Sequence, residues 1–181
     1  MATSSISPAP PPTSGGLALI VMGVSGSGKT TVGQMLAAAI GAQFIDGDDL
    51  HSNEARAKMH AGVPLADEDR WPWLDRVGAT LAAGLAAHRA TIVACSALRR
   101  AYRDRLRHAA GPALRFIYLA ATPEAMRRRV GARTGHYMPA SLVDSQFATL
   151  EAPTAEADVI EVGAEETPAI LVDELKATLL G

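Results

Sequence analysis

The chain has 181 residues, of which 48% are hydrophobic and 20% are charged, values typical of one soluble globular domain and not of a disordered chain. Its 17 basic and 19 acidic residues give a formal net charge of -2, so it lacks the basic field that nucleic-acid binding requires. The one cysteine, Cys95, excludes an internal disulfide, and no apolar run reaches the roughly 18 residues of a membrane span. We therefore predict a cytoplasmic protein with no nucleic-acid or membrane partner.

The N-terminal residues differ in composition from the rest of the chain. Residues 1–16 are rich in Pro, Ser, Thr, Ala and Gly and contain no Lys or Arg. This composition predicts a disordered tail without the charged segment of a signal or transit peptide. Residues 17–181 are expected to form a single domain, because no repeat of fixed period and no second domain is evident there.

Short apolar runs alternate with longer helical patterns along residues 17–181. Strands are predicted over Leu17–Val21, Gln43–Asp46, Thr91–Cys95, Arg115–Leu119 and Asp158–Val162. Helices are predicted over Thr30–Ile40, Ser52–His60, Trp71–Ala87, Leu98–His108, Pro123–Val130 and Thr167–Leu180. The first helix is expected to place one face at Val32, Met35, Leu36 and Ala39, and the third to have Pro72 near its start. The alternation predicts an open parallel sheet with helices on both faces.

The segment that follows the first strand carries a phosphate-binding motif. It reads GVSGSGKT over residues 23–30 and matches G-x-x-x-x-G-K-[ST] at each required position. Glycines let consecutive backbone N–H groups turn toward a phosphate, and the following helix adds its positive dipole end. In this motif Lys29 reaches the β- and γ-phosphates and the Thr30 hydroxyl binds Mg²⁺. The residues predicted to hold a nucleoside triphosphate are Gly23, Val24, Ser25, Gly26, Ser27, Gly28, Lys29, Thr30 and Thr31.

The motifs that other nucleotide-binding classes need are missing. A GTPase would carry N-K-x-D, but the one asparagine, Asn53, precedes Glu54, and a D-x-x-G at residues 75–78 falls inside a predicted helix. A motor ATPase would have an apolar strand that ends in Asp, whereas the third strand ends in Cys95 and Ser96. These observations favour a small-molecule kinase.

Further motifs follow the phosphate loop in order. They are DGDDLH at 46–51, KM at 58–59, DEDRWPWL at 67–74, CSALRRAYRD at 95–104 and RVGARTGH at 129–136. From about Leu19 to Pro153, the set resembles the small P-loop gluconokinases, which phosphorylate D-gluconate with ATP and are related to shikimate kinase and the nucleoside monophosphate kinases. The resemblance implies an α/β three-layer sandwich of the P-loop kinase type. Its five-stranded parallel sheet would have the order 2-3-1-4-5, with a mobile lid at about residues 127–138. The resemblance also implies ATP and Mg²⁺ as cofactors, and a homodimer.

Two carboxylates after the second strand are candidates for the chemistry. Asp48 is predicted to accept a hydrogen bond from the attacking hydroxyl, and Asp46 to bind the water shell of Mg²⁺, because the strand end places both beside the phosphate loop. The alternative for both is a structural turn in which the carboxylates cap a helix.

The resemblance also assigns the acceptor site. A linear hydroxy acid needs a cation and several hydroxyl partners. The candidate cations are Lys58, Arg70 and Arg99, and the candidate hydroxyl partners are His51, Ser96, His136 and Gln146. Structural alternatives are a surface ion pair of Arg70 with Asp67 or Glu68 and a helix-start cap for His51. Trp71 and Trp73 are expected in the core, and the alternative for them is a platform on which the sugar stacks.

Two arginines of the predicted lid match the phosphate-contacting arginines of the family. Arg129 and Arg133 are four residues apart and would neutralise the transferring phosphoryl group, whereas Arg127 and Arg128 are expected on a solvated face. Adenine is expected between the base of the lid and the loop after Val162. Two rival functions stay open: a kinase for a related acid such as shikimate, and a non-catalytic nucleotide-binding protein.

Overall fold

The computed structural model describes residues 16–131 and 140–180. The predicted tail apart from Gly16, and residues 132–138 of the predicted lid, lie outside the described residues. The strands are β1 (Ala18–Met22), β2 (Gln43–Asp46), β3 (Thr91–Ala94), β4 (Leu114–Ala120) and β5 (Val159–Gly163). The helices are α1 (Lys29–Ile40), α2 (Asn53–His60), α3 (Asp67–Ala86), α4 (Arg100–Ala110), α5 (Pro123–Gly131), α6 (Ala140–Thr149) and α7 (Pro168–Leu180). A short 3-10 helix, Gly47–Leu50, follows β2. Within the described ranges, no helix has both the length and the apolar character to span a membrane.

The strands form one parallel sheet in the order β2-β3-β1-β4-β5, which confirms the predicted order. In the central strand, Ala18 lies opposite Thr91 of β3 and Leu114 of β4. All of β1 is buried, as expected for a parallel strand that helices cover on both sides. Because parallel strands end at the same edge, the segments after β1, β2 and β3 meet there.

Each face of the sheet packs against its own pair of helices. Leu19 packs in one hydrophobic cluster with Leu36 of α1 and Leu175 of α7. Ile20 points to the opposite face, where it shares a cluster with Leu74 of α3, because side chains alternate along a strand. The result is the predicted three-layer sandwich.

The buried face of α1 differs from the predicted one. Two of the four predicted positions are buried, but Met35 is 39% exposed and Ala39 is exposed as well, so the prediction is wrong for these two. The helix approaches the sheet at Gly33 instead, where a Cβ would lie only 2.6 Å from Cε2 of Phe44. The absence of a side chain there lets α1 pack closely on the sheet.

The third helix begins at Asp67, four residues before the predicted start. The first turn has three acidic residues, which the positive end of the helix dipole stabilises. The carboxylate of Asp69 also accepts a hydrogen bond from the backbone N of Ala66 at 3.0 Å. Pro72 therefore lies inside the helix and leaves the carbonyl of Glu68 without its usual helical donor.

Candidate active site

The loop between β1 and α1 has the backbone of a phosphate cradle. Gly23, Gly26 and Gly28 have φ angles of 146°, 84° and 97°, which residues other than glycine rarely adopt. A Cβ on Gly23 would lie 2.8 Å from Oγ of Ser27. That hydroxyl is buried and has no hydrogen-bond partner among the described residues. A tight glycine-rich turn with an unsatisfied polar group fits an anionic ligand.

Lys29 and Thr30 are the first two residues of α1. Nζ of Lys29 donates to the carbonyl of Val24 at 3.0 Å, which holds the ammonium over the loop. The Thr30 hydroxyl donates to Oδ2 of Asp46 at 3.1 Å. The two residues predicted to serve a metal ion are therefore in contact, and both offer the oxygen atoms that Mg²⁺ prefers.

Asp46 has a structural role as well. Its Oδ1 accepts a hydrogen bond from the backbone N of Asp48 at 3.1 Å and so caps the 3-10 helix. Among the described residues, no group of three or more His, Cys, Asp or Glu could hold a metal ion. A magnesium ion at Thr30 and Asp46 would therefore take its other ligands from phosphates and water.

Asp48 lies on the 3-10 helix that brings it beside Lys29. Although Asp48 is exposed, partial desolvation by the surrounding protein raises its pKa above the ordinary value, repulsion from Asp46 raises it further, and attraction to Lys29 opposes the rise. The turn is fixed at Gly47, where a Cβ would lie 2.4 Å from the carbonyl oxygen of Ala94 in β3. The Gly47 carbonyl also accepts a hydrogen bond from Nε1 of Trp73 at 2.7 Å.

His51 is buried against the ring of Trp73. The ring centroids are 4.3 Å apart with an interplanar angle of 14°, and Nδ1 of His51 has no partner among the described residues. The cap of α2 is Ser52, whose Oγ accepts from the backbone N of Ala55, so His51 is not the cap. Burial, followed by the positive charges of nearby arginines, lowers the pKa of His51 to about 4. The imidazole is therefore neutral at neutral pH and can both donate and accept a hydrogen bond.

The lowered pKa of His51 predicts a loss of stability in acid. The unfolded chain, with the ordinary value of 6.5, binds a proton on this group at a pH where the folded chain does not. The contribution of neutral His51 is therefore full above pH 6.5 and is lost as the pH falls through the folded-state value, by up to about 3 kcal/mol near pH 4.

We expect His51→Gln to flatten the fall in unfolding free energy between about pH 6.5 and pH 4, measured by urea denaturation. The control is His108→Gln, which removes an exposed histidine of α4 and should keep the wild-type slope. Equal slopes for the wild type and His51→Gln would contradict the assignment.

The predicted acceptor cations Lys58, Arg70 and Arg99, here called the cation cluster, meet at the start of α3. Nζ of Lys58 lies 2.6 Å from Oδ1 of Asp69, and Nη1 of Arg99 lies 2.8 Å from Oδ2 of Asp67. Arg70 donates from Nε to the carbonyl of Leu65 at 3.4 Å rather than to Asp67 or Glu68.

Tyr102 joins two members of the cation cluster. Its hydroxyl donates to Oδ1 of Asp67 at 2.5 Å, and the guanidinium carbons of Arg70 and Arg99 each lie 5.8 Å from its ring centroid. Asp67 and Tyr102 lie inside two of the sequence motifs, but neither was predicted to belong to the acceptor site. The signal for them was present, because Asp67 lies in the same motif as Arg70 and Tyr102 in the same motif as Arg99.

Trp73 and Trp71 differ in burial. Trp73 is only 2% exposed, as the core interpretation predicts. Trp71 is half-buried and packs edge-on against Tyr102, with ring centroids 5.4 Å apart. Cys95 is buried, and burial raises the pKa of its thiol to about 12, which makes it unreactive.

The remaining predicted residues fall into three groups. The side chain of Gln146 on α6 lies at the phosphate loop, where its Oε1 accepts from the backbone N of Ser25 at 2.5 Å. Ser96 is half-buried, and its carbonyl accepts from the backbone N of Gly23 at 3.4 Å. Arg129 is half-buried on α5, whereas Arg127 and Arg128 are exposed as expected. Arg133 and His136 lie outside the described residues.

The phosphate loop follows the central strand of a parallel sheet, and Asp48 and the cation cluster lie on segments that follow other strands at the same edge. This arrangement defines the protein as a P-loop kinase. A family model described as an AAA domain matches residues 19–153. The thermosensitive gluconokinase of Escherichia coli (strain K12) is 40% identical over 166 residues, which cover 91% of this chain and 88% of the relative. The gluconokinase of Gluconobacter oxydans (strain 621H) is 43% identical over 157 residues, covering 87% and 88%.

A solved structure agrees with the sequence matches. The crystal structure of a gluconokinase from Sinorhizobium meliloti 1021 superposes with a TM-score of 0.81 at 43% identity, covering 93% of this chain and 94% of that one. The chain belongs to the gluconokinase family.

Proposed function

We propose that this protein transfers the γ-phosphoryl group of ATP to D-gluconate and releases 6-phospho-D-gluconate and ADP. One observation carries the proposal: a glycine-rich phosphate loop with Lys29 lies beside Asp48, whose pKa is raised, at the sheet edge that also leads to the cation cluster. The relatives named gluconokinases support gluconate as the acceptor over shikimate.

The nucleotide half of the site uses the loop and the start of α1. The loop amides, Lys29 and the positive end of the α1 dipole would hold the ATP phosphates. Thr30 and Asp46, in contact at 3.1 Å, would hold a magnesium ion, which neutralises charge on the phosphate oxygens when bound. We assign Arg129 and Arg133 to the transferring phosphoryl group.

The acceptor half must orient one hydroxyl and hold one carboxylate. Phosphoryl transfer needs little covalent chemistry from the protein, so positioning and charge neutralisation dominate. Asp48 would accept a hydrogen bond from the attacking hydroxyl, and its raised pKa makes it a better proton acceptor than an ordinary aspartate. The cation cluster would bind the carboxylate. The other hydroxyl groups are assigned to His51, Ser96, His136 and Gln146.

An acceptor panel tests the proposed function. ADP release should depend on gluconate and should be near background with shikimate or with no acceptor. Turnover of shikimate would instead support the related-acid kinase. ATP binding with no turnover on any sugar acid would support the non-catalytic nucleotide-binding protein.

Lys58→Ala should raise the gluconate KM by about tenfold and change kcat much less, because an anchor remote from the reacting oxygen binds the ground state and the transition state alike. Initial-rate kinetics at saturating ATP measure both constants. The matched control is Lys176→Ala, which removes an exposed lysine on α7, a helix that packs on the other face of the sheet. A large fall in kcat at saturating gluconate would assign Lys58 to the chemical step instead.

A further inference from the structure

We propose that Arg103 is a positioning residue for the acceptor site and that its guanidinium fixes the conformation of residues 95–99, the loop between β3 and α4 that carries Ser96 and Arg99. The inference rests on the proposed function only where it names gluconate as the acceptor. Arg103 lies on α4 and is 1% exposed, so it is the most deeply buried charged residue in the described part of the chain.

All five N–H groups of the Arg103 guanidinium are used inside the protein. Nη1 donates to the carbonyls of Ala97 at 3.0 Å and Leu98 at 3.1 Å. Nη2 donates to the carbonyl of Glu151 at 2.9 Å and to Oε1 of Glu156 at 2.5 Å, and Nε donates to Oε2 of Glu156 at 2.9 Å. Since a guanidinium has five such donors, none remains for a substrate. Arg103 can therefore act only through the residues that it holds.

The loop that Arg103 holds has a strained backbone. Ala97 has a φ angle of 44°, a left-handed conformation that is unfavourable for a residue with a Cβ and persists only where surrounding contacts favour it. The two carbonyls that Arg103 binds belong to Ala97 and to the residue after it. On the other side, the Ser96 carbonyl accepts from the backbone N of Gly23 in the phosphate loop. The loop is thus held between Arg103 and the phosphate loop, with Ser96 and Arg99 on it.

Hydrogen bonds to Glu156 hold the Arg103 guanidinium in place. Burial by itself would raise the pKa of Glu156, but hydrogen bonds from Arg103 and Arg107 outweigh burial and lower it to about 2. Arg107 is in turn paired with Asp158 at 2.7 Å. Glu156 is therefore ionised throughout the neutral pH range. Arg107, which also bonds Glu156, is held in turn by Asp158, the residue before β5.

The same guanidinium joins residues 95–99, here called the acceptor loop, to the segment after α6. Besides its bond from Arg103, Glu151 donates from its backbone N to the carbonyl of Leu98 at 2.9 Å, and its carboxylate accepts from the backbone N of Arg100 at 2.6 Å. Because α6 also carries Gln146, which contacts the phosphate loop, Arg103 sets the acceptor loop and this helix in one arrangement.

The test is Arg103→Lys with Arg105→Lys as the matched control. A lysine keeps the positive charge beside Glu156, but one ammonium cannot replace a planar guanidinium that bonds three backbone carbonyls and a carboxylate. Arg105 is on the same helix, is exposed, and pairs with Asp75 at 2.7 Å, so its replacement leaves the loop untouched. Both variants are assayed well below their melting temperatures, where the protein is fully folded.

Arg103→Lys should raise the gluconate KM by at least about tenfold while the KM for ATP stays within about threefold, because Arg103 bonds the acceptor loop directly but reaches the phosphate loop only through other residues. A residue with a merely structural role would lower the amount of active enzyme, and hence kcat, without changing the gluconate KM. Backbone amides of residues 95–99 should also exchange with deuterium at least about tenfold faster than in the Arg105→Lys control.

A folded Arg103→Lys variant with a wild-type gluconate KM and wild-type exchange in residues 95–99 would overturn the inference. Should this variant fail to fold, Glu156→Gln decides in its place, since it retains Arg103 but weakens its anchor; unchanged KM and exchange there would also overturn the inference. The exchange experiment needs no substrate. A wild-type protein that does not use gluconate would count against the proposed function alone.

Discussion

Replacing Lys29 with alanine is expected to lower kcat by about 10²-fold or more, because it removes the positive charge aimed at the phosphates where negative charge develops. The fold should survive, since Lys29 begins α1 with its ammonium over the phosphate loop and lies in neither face of the core. Steady-state turnover and a thermal melt of the same preparation measure the two effects. Lys176→Ala serves again as the control for the loss of a lysine.

Retention of more than about a tenth of wild-type turnover by Lys29→Ala would contradict the assignment of residues 23–30 as the phosphate-binding loop. A collapse of the melting temperature would show instead that the contact of Lys29 with Val24 supports the loop as well as the ligand.

The second large effect is expected for Asp48→Asn. Asparagine keeps the size and one oxygen acceptor but loses the charge that attracts the proton of the attacking hydroxyl. We therefore expect kcat to fall by about 10²-fold or more, with a much smaller change in the gluconate KM. Asp49→Asn, the neighbouring exposed aspartate of the same 3-10 helix, is the matched control and should keep near-wild-type kinetics.

The same substitution should not cost stability. The raised pKa of Asp48 means that the folded protein disfavours the ionised carboxylate relative to the unfolded chain. This cost is absent well below pH 3.8 and grows as the pH rises through the folded-state value, so it is fully present at neutral pH. Removal of the charge should leave the melting temperature equal or higher at pH 7. A change in KM alone, with kcat intact, would make Asp48 a binding residue and not an activating one.

The parts of the fold that depend on local pattern were predictable. The order of the five strands is confirmed, and β2 has the predicted bounds. Glycines with positive φ and a Lys-Thr pair at a helix start lie within eight consecutive residues. The phosphate loop could therefore be predicted from residues that are adjacent in the sequence. The capping of α5 by Thr122, which accepts from the backbone N of Ala125 at 3.3 Å, is equally local.

Local rules failed where two of them competed or where no rule applied. Proline near a helix start favoured Trp71 as the beginning of α3, but the acidic turn at Asp67 begins the helix and leaves Pro72 inside it. Helix α6, with the sequence ASLVDSQFAT, was not predicted.

Long-range contacts of the candidate site could not be derived from spacing. The bond from Ser25 to Gln146 joins residues 121 positions apart, and the pair of Arg99 with Asp67 spans 32 positions. Periodicity describes which face of an element a residue occupies and not which distant residue it meets. The role of Arg103 is in part of the same kind, because two of its partners, Glu151 and Glu156, lie 48 and 53 positions away in the sequence.

The ³¹P NMR spectrum of a reaction with ATP, Mg²⁺ and D-gluconate tests transfer to the sugar acid most directly. We predict one new phosphomonoester resonance that is coupled to the two protons on C6 of gluconate. Its integrated intensity should equal the amount of ADP formed. A spectrum with only inorganic phosphate and ADP would contradict phosphoryl transfer to gluconate.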